Sequence, residues 1–255
     1  MKNRQFNRLN LKGTHAVYLG SLESKKMLLF IGRSNTQKNS TPLQELIDRL
    51  VLNGYLLIWA KSKNQFISEL LTEKSLRAVG WLDSIFGKNE SQAKAWIRRI
   101  LKGFILICHP SKWGYFMDWL KGSPANEQSE IHRDIMRKLG KNKSVFILSH
   151  SAGGITASHL ANEENLHGLI CFGYPFKHPD KDEESYRTNG LRNIQKPFLI
   201  IQGYQDEYGG KDVQGRYELS QNIKFEFVQA NHEYENLSMD DWIRVVKRIA
   251  SFLEQ

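Results

Sequence analysis

The stretch Val145-Phe146-Ile147-Leu148-Ser149-His150-Ser151-Ala152-Gly153-Gly154-Ile155-Thr156-Ala157 decides the fold. Four apolar residues read as a buried strand. A cluster of small residues makes a tight turn, and Ile155 onward opens a helix. This is the setting of a nucleophile elbow, usually written GxSxG, in which a serine sits in a strained backbone position at the strand end. Small flanking residues prevent clashes there and leave the hydroxyl exposed. Ser149 stands at the first small position instead of glycine, and Gly153 fills the second. Gly154 then lets the new helix lie close to the sheet.

Working outward, short apolar runs alternate with longer amphipathic stretches. That alternation predicts the α/β class: a mostly parallel twisted sheet with helices on both faces. The strand candidates are Tyr55 to Trp59, Phe104 to Cys108, Val145 to Leu148, Leu169 to Phe172, Phe198 to Ile201 and Phe225 to Val228. An opening hairpin of Thr14 to Leu19 with Lys26 to Ile31 precedes them. Apolar residues at three- and four-residue spacing predict helices over Leu43 to Val51 and Trp242 to Phe252. Asn-Ser-Thr-Pro at 39–42 is a helix start for the first. From about 61 to 126 the rhythm changes, with helices expected around Phe66 to Leu76 and Ser91 to Leu101. We read one domain, 1–255, with an insertion at about 61–126 before the nucleophile strand. Trp81, Trp96, Trp113 and Trp119 within it build either a lid or pocket wall or an enlarged core.

A serine hydroxyl is a weak nucleophile without a histidine to take its proton and a carboxylate to orient that histidine. In folds that use this elbow the three follow in the order Ser, Asp or Glu, His. Asp206 falls in the turn after the strand Phe198 to Ile201, and His232 follows the run Phe225 to Val228. Both stand where ligands meet the carboxyl ends of such sheets. Glu207 competes with Asp206 for the acid role. His150, tied beside the nucleophile, is expected to point elsewhere. The oxyanion formed on attack needs donors, and the backbone N–H groups of Ala152 and of Arg33, in the loop after Leu29 to Ile31, are the candidates.

Composition narrows the partners. The chain has 255 residues, a net charge of +9 and a pI near 9.4, which favours an anionic substrate or partner without choosing among them. Lys2, Arg4, Arg8 and Lys12 precede the first acidic residue, Glu23, and read as a solvated or frayed arm. No apolar run approaches a membrane span, so a cytoplasmic protein with no transmembrane segment is expected. Cys108 and Cys171 each lie in an apolar run, so both read as core residues, not as a disulfide. Neighbouring strand residues face opposite ways, which makes Cys108-His109 a poor thiol couple. No HExxH, CxxC, GxxxxGK[ST] or GxGxxG pattern occurs, so no cofactor or metal is expected and no motif indicates nucleic-acid binding.

The run Cys171-Phe172-Gly173-Tyr174-Pro175-Phe176, with His178-Pro179, the stretch from Arg187 to Arg192, Pro197 and the Gln202-Gly203…Asp206 turn, resembles the dienelactone-hydrolase-like α/β-hydrolases. Within these it is most similar to the small bacterial proteins grouped with testis-expressed protein 30. The likeness spans roughly 143 to 255. It implies the α/β-hydrolase fold and a Ser/Asp/His triad on Ser151, Asp206 and His232. Where many relatives have His-Gly after the third strand, this chain has Ile31-Gly32. The expectation is a serine hydrolase that cleaves a small-molecule carboxylic ester or thioester through an acyl-enzyme on Ser151. The alternatives are a non-catalytic binding module for an anionic partner and a peptidase of the same fold.

Overall fold

The computed structural model describes residues 6–11, 14–32, 41–62, 71, 74, 92–108, 124–235 and 237–254. By compactness the chain divides into two units. One comprises Met1–Leu9, Ala16–Ala60 and Ala125–Gln255; the other comprises Asn10–His15 and Lys61–Pro124.

The strands are β1 (Asn7–Leu11), β2 (Thr14–Leu19), β3 (Lys26–Ile31), β4 (Tyr55–Ser62), β5 (Ser144–His150), β6 (Leu166–Phe172), β7 (Phe198–Gly203) and β8 (Ile223–Val228). They form one sheet in the order β1-β2-β4-β3-β5-β6-β7-β8, and the pairings of β4 with β3, β3 with β5, β5 with β6, β6 with β7 and β7 with β8 are all parallel. The chain steps outward from β3 to β4, then returns to place β5 on the other side of β3. That reversal is a topological switch point at the carboxyl ends of β3 and β5, the place where open α/β sheets bind ligands.

The helices of the sheet-bearing unit are α1 (Thr41–Leu52), α3 (Pro124–Leu139), α4 (Ala152–Ser158), the single turn α5 (Val213–Arg216) and α6 (Met239–Leu253); α2 (Gln92–Ile107) belongs to the other unit. Successive strand residues face opposite sides, and both sides are covered, so the central strands are apolar throughout. On one face Leu28, Phe30, Phe146, Leu148, Leu199 and Ile201 share a cluster with Leu46, Ile47 and Leu50 of α1 and Val245, Ile249 and Phe252 of α6. The intervening residues Met27, Leu29, Val145 and Ile147 are also fully buried. On their side α4 lies against β3, β5 and β6. α6 starts where the sequence provides a cap: the Ser238 hydroxyl accepts the Asp241 N–H, and Asp240 and Asp241 sit in the first turn, where the helix dipole favours acid.

Four expectations need correction. The run Phe104 to Cys108 is not a strand: it is the end of α2, which absorbs the helix expected over Ser91 to Leu101. Short apolar runs read alike in helix and strand, and here the helical spacing of Trp96, Ile100, Phe104 and Ile107 prevails. Cys108, at that helix end, is exposed, while Cys171 is buried as expected. The hairpin of β2 with β3 does not form, because β4 lies between them. Tyr55 to Trp59 of β4 are all buried, so this strand gains more as an interior member than as a bare edge. Arg8 is not in a frayed arm but in β1, where it is exposed. Lys2, Arg4 and Lys12 lie outside the described residues, as do Arg33, Trp81, Trp113 and Trp119. Of the helix expected over Phe66 to Leu76 only Leu71 and Lys74 are described, and both are helical.

Candidate active site

Ser151 follows β5 directly and adopts φ 52°, ψ −127°. A left-handed φ on a non-glycine residue costs about 1–3 kcal/mol and persists only where its surroundings enforce it. Here the enforcement is local. The Ser151 N–H donates to the Phe172 carbonyl at 3.0 Å, and the Gly154 N–H donates to the Ser151 carbonyl at 2.7 Å. The glycines after it permit the close fit: a Cβ on Gly153 would lie 2.4 Å from the Ile31 carbonyl oxygen, and one on Gly154 2.5 Å from Cys171 Sγ. Ser149, which replaces the usual first glycine, is fully buried and gives its hydroxyl proton to the Ile170 carbonyl at 3.0 Å. The polar atom that glycine would lack is thus satisfied within the sheet.

The structure brings the three expected side chains together. His232 Nε2 lies 2.7 Å from Ser151 Oγ, and His232 Nδ1 lies 3.0 and 2.9 Å from the two carboxylate oxygens of Asp206. Asp206 and His232 are buried, and Ser151 is half-buried. Of the two acids in the turn, Asp206 meets the imidazole and Glu207 is exposed. His150 is buried with its ring 5.5 Å from that of His232, and its Nε2 is 3.4 Å from the His232 carbonyl oxygen. It packs behind the loop that carries His232.

Several supports were not singled out from sequence for a role. Gln202, fully buried on β7, donates Nε2–H to Asp206 Oδ2 at 2.9 Å and to the Gly209 carbonyl at 2.6 Å. Its Oε1 accepts the Tyr174 N–H at 3.0 Å. The Tyr208 N–H donates to Asp206 Oδ1 at 2.8 Å, and the Tyr208 ring lies 4.4 Å from the His232 ring. Each Asp206 oxygen therefore has a fixed donor besides the imidazole, which aims the carboxylate. Gly173, with φ 57°, lies beneath the pair: a Cβ there would come 3.1 Å from His232 Nδ1. The only advance signal for Gln202 was a polar residue in an otherwise apolar strand run.

Burial governs the neighbouring ionisable groups. It pushes the Cys171 thiol up from its ordinary 9.0 to about 12 and raises the Tyr174 and Tyr234 phenols above theirs. All three stay protonated at neutral pH and act as core and hydrogen-bond donors. Tyr234 gives its proton to the Ile201 carbonyl, and Tyr174 gives its own to the Arg187 carbonyl, each at 2.5 Å. A group of potential metal ligands also occurs here, His150, His232 and Glu233, with ligand atoms within 4.8 Å of one another. Its central member is already engaged on both ring nitrogens by Asp206 and Ser151.

The reversed parallel sheet, with a serine turn after β5 and an acid and an imidazole after β7 and β8, defines an α/β fold of the hydrolase type. A family model described as an alpha/beta hydrolase domain matches residues 121–252, just over half of the chain. The chain therefore belongs to the α/β-hydrolase family, a family of hydrolytic enzymes. Among solved structures it is similar to the esterase domain of a Rhodothermus marinus protein, at 12% identity and a TM-score of 0.56, covering 98% of each chain. It is also similar to a Pyrococcus furiosus esterase, at 12% identity and a TM-score of 0.58, covering 98% of this chain and 90% of that one. A third is an α/β hydrolase enzyme from the metagenome of lagoon sediments at Mar Chica, Morocco, at 11% identity and a TM-score of 0.59, covering 98% of each chain. At such identities the likeness speaks for the fold. No curated protein matches the chain by sequence. Among the described residues no helix is long and apolar enough to cross a membrane.

Proposed function

We propose that the chain hydrolyses a small-molecule carboxylic ester or thioester through an acyl-enzyme on Ser151. The observation that carries this reading is the unbroken contact from Asp206 through both nitrogens of His232 to Ser151 Oγ. With the Nδ1 proton held by Asp206, Nε2 offers its lone pair to the serine hydroxyl. As Oγ attacks the acyl carbon, His232 takes the proton and Asp206 stabilises the imidazolium. The carbonyl oxygen becomes an oxyanion, for which the Ala152 N–H and the Arg33 N–H are the proposed donors. His232 then gives its proton to the departing alcohol or thiol. In the second half, water loses a proton to His232 and attacks the acyl carbon, and Oγ leaves with that proton. No step calls for a cofactor or metal. The strained backbone at Ser151 supports the same reading, because nothing in core packing requires a serine in that conformation. That similar solved structures include esterases agrees with an acyl substrate.

The test is a fluorophosphonate probe beside a panel of p-nitrophenyl esters of increasing acyl length. Wild type should label and turn over short esters, and Ser151→Ala should do neither while keeping its circular dichroism spectrum and melting profile. A folded wild type that neither labels nor hydrolyses any ester refutes the proposal.

A further inference from the structure

Tyr208 is half-buried, and its main chain is fixed at both polar atoms. Its N–H donates to Asp206 Oδ1 at 2.8 Å, and its carbonyl accepts the Lys177 N–H at 3.0 Å. Any residue but proline at 208 would supply that N–H to the acid, so the backbone contact does not call for tyrosine. The ring has a contact of its own. Its centroid lies 4.4 Å from that of His232, with 38° between the planes. The separation is too short for rings meeting edge to edge and the tilt is far from a T, so the two turn their faces towards each other. The His178 ring buttresses the tyrosine at 5.8 Å and 79°, and is itself fixed because its Nδ1 accepts the Asp180 N–H at 3.1 Å.

We propose that Tyr208 is a positioning residue whose ring face stabilises the imidazolium form of His232. The proposal rests on the reading of His232 as the base for Ser151. In that mechanism the Oγ proton moves to Nε2 as the bond from Oγ to the acyl carbon forms. It passes to the leaving group as the bond from the acyl carbon to that group breaks, so His232 is cationic only between the two events. An aromatic face presents the negative part of its quadrupole and attracts a cation within about 6 Å of the ring centroid. For neutral imidazole the same face does much less. The contact therefore favours the state through which the reaction passes over the resting one, and such differential stabilisation is what raises kcat. Among the described residues His232 also faces Ser151, Asp206, His150 and Glu233, and Asp206 in turn feels Tyr234 and Cys171. All of these stay the same when residue 208 is replaced, so a difference between variants reports the ring.

Tyr208→Leu keeps apolar bulk and removes the aromatic face, with Tyr208→Met as a second faceless variant, while Tyr208→Phe removes only the hydroxyl. On a short p-nitrophenyl ester the faceless variants should lose about three- to tenfold in kcat, and Tyr208→Phe should recover most of that loss. A looser fit alone could also lower kcat, so the deciding readout is the titration of the His232 ring followed by 1H–15N correlation, its signals assigned by their loss in His232→Gln. Proton binding by His232 should move to lower pH by about half to one unit in the faceless variants and stay near wild type in Tyr208→Phe. The acid limb of kcat/KM should follow it. Folded faceless variants whose titration is unmoved, or moves to higher pH, overturn the proposal, and so does a Tyr208→Phe that behaves as Tyr208→Leu does. The titration needs no substrate, which separates the two readings. Ester turnover without the shift refutes the role of the ring; the shift in a protein that turns over no ester supports the ring contact and refutes the chemistry at Ser151.

Discussion

If Gln202 aims the acid of the site, replacing it should separate stability from turnover in a predictable way. In Gln202→Met the side chain keeps most of its length and loses every polar atom. Four buried groups then lose a partner: Asp206 Oδ2, the Gly209 and Tyr174 carbonyls and the Tyr174 N–H. An unsatisfied buried group costs about 1–3 kcal/mol, so a loss of roughly 3 kcal/mol or more is expected, against a typical domain stability of about 5–15 kcal/mol. The variant should fold with a lowered urea midpoint. The contact to Asp206 is to a charged acceptor, worth about 1.5–3 kcal/mol, so kcat should fall roughly 10- to 100-fold if that contact holds the carboxylate in line. KM should change little, since Gln202 is fully buried.

Gln202→Glu sharpens the test. The new carboxyl would stand beside Asp206, and two carboxylates so close cannot both ionise freely. Protonated, it donates to Asp206 as the amide does; ionised, it repels it. Activity of this variant should therefore decline as pH rises through the range in which wild type stays active. The assays are kcat and KM on a short p-nitrophenyl ester across pH, with urea melts on the same samples. A Gln202→Met protein that loses stability yet keeps kcat within about twofold of wild type would refute the positioning role, since a 2 kcal/mol effect is nearer thirtyfold.

Three further outcomes follow from the same geometry. Gly153→Ala should destabilise more than Gly154→Ala, because the first Cβ meets the Ile31 backbone and the second meets side chains of Cys171 and Tyr174. Overpacking costs of about 1–3 kcal/mol set the scale, and equal urea midpoints for the two variants would contradict it. A thiol titration of the native protein at pH 8 should find one reactive group, Cys108, with the second appearing only in denaturant. With its thiol near 12, Cys171 presents about one part in ten thousand as thiolate at that pH. Stability should also fall in alkali. The unfolded chain releases the Cys171 proton from about pH 9 and the folded chain holds it to about 12; Tyr174 and Tyr234 are raised in the same sense. The stabilisation is thus complete below pH 9 and declines above about pH 9 for Cys171 and above about pH 10 for the two tyrosines, by up to about 1.4 kcal/mol per pH unit for each group. Urea midpoints that stay level from pH 8 to pH 11 would contradict this.

What sequence could and could not reveal follows from the range over which each feature is specified. The elbow is local: strain at Ser151 needs small residues within three positions, and Ser149, Gly153 and Gly154 stand in the sequence for inspection. The core strands are nearly as local, because burial on both faces writes an unbroken apolar run such as Leu169 to Phe172. The same logic misled at Phe104 to Cys108. An apolar run proves burial only if something covers it, and α2 leaves Phe104 and Ile107 in solvent. The choice of Asp206 over Glu207 is not local at all. It depends on which carboxylate the β7 turn carries inward, and that depends on donors elsewhere, the Gln202 amide behind and the Tyr208 N–H ahead. Gln202 in turn is held through Tyr174 and Gly209, 28 residues before it and 7 after. A residue whose purpose lies in partners so spread has no signature in its neighbours. Hence the groups of the proposed triad were legible from pattern, while those that hold them in place became legible only once the loops after β6 and β7 were brought together.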